Sequence, residues 1–89
     1  MHFKLRLVAS ADDRPEMPGM IRAAIEEAGG RVETVGTDRA EAGAVELTFE
    51  LRLDRSHLMH GIIGAVEKLP CVAVMRVTDP RSIGNVSRD

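Results

Sequence analysis

Among its 89 residues the chain has no tryptophan, no tyrosine, two phenylalanines (Phe3 and Phe49), one cysteine (Cys71) and one asparagine (Asn85). Each shortage removes a class of function. Without aromatic platforms there is little on which single-stranded nucleic acid could stack. A net charge of −2 also lacks the basic footprint of a phosphate-backbone binder, so no nucleic-acid partner is expected. A lone cysteine cannot close an internal disulfide, and Cys71, following Pro70 at the head of an apolar run, reads as an inert buried thiol. Reduced cysteine points to a cytoplasmic protein.

No apolar run approaches the roughly 18 residues of a membrane span. The segment from Met1 to Arg6 alternates like a strand and lacks the apolar stretch of a secretory signal. His57 and His60 share a helix face, but no third histidine or cysteine joins them, and Asp12, Asp13 and Glu16 lack the spacing of a calcium loop. No metal and no cofactor are expected. The single asparagine lies in the tail, so the arginine–asparagine pair of a phosphate-cradling hydrolase is missing; no Cys-x-x-Cys loop is present either. No catalytic residue is assigned, and the chain is read as non-enzymatic.

What remains is an ordinary globular composition, 44% hydrophobic and 29% charged, of a length that makes one domain. Phe3, Leu5 and Leu7 alternate with Lys4 and Arg6, which predicts a half-buried strand over 3–9. A polar loop follows. Pro18 suits a helix's first turn, and Met20, Ile21, Ala24, Ile25 and Ala28 recur at helical spacing until Gly29-Gly30. Residues 31–37 form a weaker strand, with Val32 and Val35 on opposite faces. Asp38 to Gly43 reads as a hairpin connection with Gly43 at the unusual backbone angle. Strict alternation over 44–53 marks the clearest strand, with Val45, Leu47, Phe49, Leu51 and Leu53 inward. Asp54 or Ser56 can cap a second helix carrying Leu58, Met59, Ile62, Ile63, Val66 and Leu69. Pro70 stops it, and a last strand covers 72–78. Residues 1–79 form the domain and 80–89 a loose tail.

The order βαββαβ implies an α+β, ferredoxin-like fold: a four-stranded antiparallel sheet in the order 4-1-3-2 with both helices on one face. Lys4, Arg6, Glu46, Glu50 and Arg52 fall on the open face, whose mixed charge disfavours burial against another sheet. Side-by-side edge pairing is the cheaper route to a dimer.

Pro18-Gly19-Met20-Ile21, the helix end Ala24-Ile25-Glu26-Glu27-Ala28-Gly29-Gly30, and the run from Leu69-Pro70-Cys71-Val72 to Val77 resemble an ACT domain over about 75 residues. The likeness is to the regulatory ACT segments of bacterial malic enzymes, phosphoglycerate dehydrogenases and ppGpp synthetases. It implies a homodimer that binds an amino acid or related small effector at the subunit boundary. It also implies a ligand site formed by Glu16, Met17, Pro18, Gly19 and Met20, with Arg31, Val32 and Glu33 across from them. Glu16 stands where the family often has a short Asp or Asn, and Arg31 where amino-acid binders often have Asn. Arg31 either clamps an acidic effector or pairs with Glu33 or Glu16 and leaves no site. In the latter case the chain is a structural oligomerisation domain of a larger enzyme.

Overall fold

A computed structural model of the chain describes residues 3–41, 43–55, 57–70 and 72–78. Six elements follow one another: β1 (Phe3–Asp12), α1 (Met17–Glu27), β2 (Arg31–Glu41), β3 (Ala44–Leu53), α2 (Leu58–Glu67) and β4 (Val72–Thr78). The strands form one antiparallel sheet ordered β2-β3-β1-β4, the expected order read from the other edge. Cys71, Ser56, Asn85 and the tail 80–89 lie outside the described residues.

β3 shows why the register is secure. Its side chains alternate between buried and half-buried along all ten residues, and a slip of one position would expose five large apolar groups. Leu5, Leu7, Ala9 and Ala11 of β1 lie opposite Leu51, Phe49, Leu47 and Val45 of β3. Met17, Ile21 and Ile25 of α1 and Ile62 and Val66 of α2 close the same cluster from above, all fully buried. Phe49 is the largest fully buried side chain. Removing such groups from water is the main source of stability in so small a domain.

Four local features depart from the sequence expectation. β1 runs on to Asp12, paired with β3 to its end, where the sequence predicts a strand over 3–9 and then a loop. β2 runs on to Glu41, so the hairpin connection is shorter than 38–43; Gly43, at φ 78°, does take the left-handed conformation. β2 also shifts register between Val32 and Thr34. Val32 lies opposite Leu51 and Val35 opposite Phe49, so the extra residue, Glu33, puts both valines on the helix-covered face rather than on opposite faces. Finally, α2 takes His57 as its N-cap residue, and that side chain makes no cap hydrogen bond; of the two expected caps, Ser56 lies outside the described residues.

The open face is a lattice of ion pairs. Arg6 donates to Glu50 at 2.9 Å, Thr34 donates to the other oxygen of Glu50 at 3.1 Å, and Glu33 meets Arg52 at 2.7 Å and Lys4 at 3.9 Å. The hydrogen bond from Arg6, then that from Thr34, holds the Glu50 carboxyl below its ordinary range.

Candidate functional site

The turn into α1 is built from Asp13 to Met20. The Asp13 amide donates to the Gly43 carbonyl, tying this turn to the β2–β3 hairpin. Glu16 is the N-cap residue, but its side chain makes no cap bond; it lies 3.7 Å from Arg14 instead. Arg14 thus answers the charge of Glu16 at this corner. Arg14 also donates to the Met17 sulfur at 3.7 Å.

The backbone amides here are unequally satisfied. Met17 donates to Arg14 and Met20 to Glu16, while Pro18 has no N–H. Gly19 is exposed, and among the described residues no backbone acceptor takes its amide. A Cβ built on Gly19 would meet nothing within 4 Å. This glycine is thus not required by crowding, and its N–H is a donor of the unsatisfied kind found at helix starts. Met17, by contrast, has a fully buried side chain and belongs to the core. Pro18 and Met20 are half-buried.

Arg31, Val32 and Glu33 sit at the other end of the molecule. Arg31 lies opposite Arg52, whereas Asp12, just before the α1 turn, lies opposite Ala44, eight positions along the same strand. At about 3.4 Å per residue this is a separation of about 27 Å along the sheet. α1, about 16 Å long, lies between the two groups along the chain and accounts for part of that separation. Within one chain the eight predicted residues therefore form two separate clusters, one at each end of α1.

Neither of the ion pairs considered for Arg31 forms. Glu33 is taken by Arg52 and Lys4, and Glu16 by Arg14, so Arg31 is exposed and has no ion pair among the described residues. Beside it is a small cavity of about 140 Å³ lined by Glu26, Gly29, Gly30, Arg31, Arg52 and Asp54. Gly29, at φ 105°, ends α1 in the left-handed conformation and donates to Glu26, while Gly30 donates to Ile25. Arg52 was placed on the open face by its alternation, but its position opposite Arg31 depends on the β2 register and was not legible from the sequence.

A larger open groove of about 520 Å³ runs between α1 and α2, bounded by Ala23, Ala24, Ala28 and Ala65. Of the predicted site residues it includes Met20. No group of three or more metal-ligating side chains gathers among the described residues.

With this geometry in hand, comparison with known proteins identifies the architecture. No protein-family model matches the sequence, and no curated protein matches it. Solved structures do match in shape. The ACT domain from GTP pyrophosphokinase of Chlorobium tepidum aligns with TM-score 0.66 at 14% identity, over 88% of this chain and 97% of that one. A homoserine dehydrogenase from Thiobacillus denitrificans aligns with TM-score 0.68 at 15% identity, over 88% of this chain but 17% of that one. A formyltetrahydrofolate deformylase from Pseudomonas putida aligns with TM-score 0.60 at 16% identity, over 86% of this chain and 29% of that one. The chain has the fold of an ACT domain. In two of these three the similar region is a minor part of a much longer enzyme.

Proposed function

We propose that the chain is a regulatory, small-molecule-binding module that works as a side-by-side dimer. Its role is to bind an amino acid or a related metabolite and pass the change to a catalytic unit, and it performs no chemistry itself. The observation that carries this reading is Gly19: an exposed helix-start glycine with an unused amide and open space where a side chain would be.

The separation of the two clusters supports a site shared between copies. β2 is an edge strand, and Val35 on its helix-facing side remains 41% exposed opposite buried Phe49. Pairing β2 with a second β2 about a two-fold axis runs the strands antiparallel. The start of one β2 then lies beside the end of the other, which the hairpin and the Asp13–Gly43 bond join to the turn before α1. In that arrangement Arg31, Val32 and Glu33 of one copy approach Glu16, Pro18, Gly19 and Met20 of the second. Met17 contributes only by anchoring the turn.

Calorimetry against a panel of amino acids and central metabolites tests the reading, with sedimentation run on the same sample. Saturable binding by a dimer is expected. A folded dimer that binds none of the panel would favour the structural oligomerisation role instead.

A further inference from the structure

The corner where α1 hands over to β2 has an excess of unanswered positive charge. Lys4 of β1, Arg52 of β3 and Arg31 of β2 are consecutive neighbours across three strands on the open face. Like charges directly opposite one another destabilise a sheet unless something answers them. One carboxylate, Glu33, serves two of the three, Arg52 at 2.7 Å and Lys4 at 3.9 Å, and Arg31 is left over. The Nε of Arg52 is also buried and has no hydrogen-bond partner.

Arg31 and Arg52 are both among the residues that line the 140 Å³ cavity. The acids that share its wall are already engaged: Glu26 accepts from Arg22 at 3.3 Å, and Asp54 has a polar partner of its own. In the last turn of α1 the Ala24, Ile25 and Glu26 carbonyls already accept, from Ala28, Gly29 and Gly30. Among the charged residues that line the cavity, Arg31 is thus the one without an ion pair or other polar partner among the described residues.

We propose that this corner binds a small oxyanion, the carboxylate of a metabolite or a phosphate group, between Arg31 and Arg52. A planar guanidinium suits either anion, offering two parallel N–H donors. The inference rests on the sensor reading and sets the chemical class of its effector, which bears an acidic group in addition to whatever meets Gly19. It also explains why arginine, and not a short amide, opens β2.

The test is an amide-resolved NMR titration of the full chain at constant ionic strength with three probes: succinate, inorganic phosphate and L-serine. The expected result is a saturable shift of the Gly29, Gly30, Arg31 and Arg52 amides with succinate or phosphate, and the anion that saturates first identifies the source. Arg31→Gln, at an exposed and unpaired position, should weaken that binding roughly tenfold or more. Arg76→Gln removes the same charge from β4, beyond β1, and should leave it within about twofold. Equal effects of the two variants, or no shift at the corner with either anion, would overturn the proposal. If L-serine shifts Gly19 and Val32 while neither anion moves the corner, the acidic class is wrong and the sensor reading stands. If none of the three probes produces a saturable shift anywhere, the oxyanion site falls, while the sensor reading falls only if the wider calorimetric panel is silent too.

Discussion

Replacing Gly19 by alanine separates a ligand-contact role from a purely structural one. The position is helical, exposed and uncrowded, and an added Cβ meets nothing within 4 Å. On propensity alone the change should stabilise the free domain, by roughly 0.5–1 kcal/mol for a helix interior and toward the lower figure in a first turn. For a domain of this size that is a rise in Tm of about 2–8 °C. If the effector approaches the Gly19 backbone, the new methyl occupies its contact surface. Overpacking of about 1–3 kcal/mol then weakens binding roughly 5- to 150-fold. The assay is paired thermal unfolding and calorimetry on one preparation. Gly61→Ala is the control: it is exposed in α2, its Cβ also meets nothing within 4 Å, and it should stabilise without touching affinity. A Gly19→Ala protein that gains stability and keeps full affinity would refute the assignment of Gly19 to the ligand. One that loses stability would refute the local geometry.

Three further outcomes follow from the same coordinates. Gly30→Ala would put a Cβ 2.9 Å from both Ile25 Cγ2 and Ile62 Cδ1, two fully buried groups, so urea denaturation should report a loss of about 1–3 kcal/mol. Arg6→Gln should raise the Glu50 carboxyl toward its ordinary range, and Thr34→Val should do so less, read by carbon NMR titration. Because folding lowers the Glu50 pKa, its stabilising contribution is present above the unfolded carboxylate range and fades as pH falls through the folded value; that acid dependence should flatten in Arg6→Gln. Val35→Lys should shift sedimentation toward the monomer by charging the free edge, while changing the stability of the single domain by no more than about 0.5 kcal/mol.

Alternation and helical spacing made most of the architecture legible. β3 and β4 fall at the expected bounds, and the sheet order follows from the right-handed crossovers. What escaped was local and register-dependent. The bulge at Glu33 cannot be read from Val32 and Val35 alone, because period-two reasoning assumes that every residue pairs. The extension of β2 to Glu41 joins polar residues that local propensity assigns to a loop, and pairing with β3 overrides that preference. Met17 precedes Pro18 in a turn-like sequence, yet tertiary packing makes it core. The Arg14–Glu16 pair and the Arg31–Arg52 juxtaposition both depend on chain path and register rather than on any motif.

The central claim is that two copies pair through β2 and bring Arg31 of one to Gly19 of the other. Mixed dimers test it most directly, with one copy isotope-labelled and the second carrying a nitroxide at position 31 in a Cys71→Ser background. Selective broadening of the Gly19 and Met20 amides in the labelled copy is the predicted result. A dimeric sample in which those amides stay sharp, or a sample that remains monomeric, would contradict it.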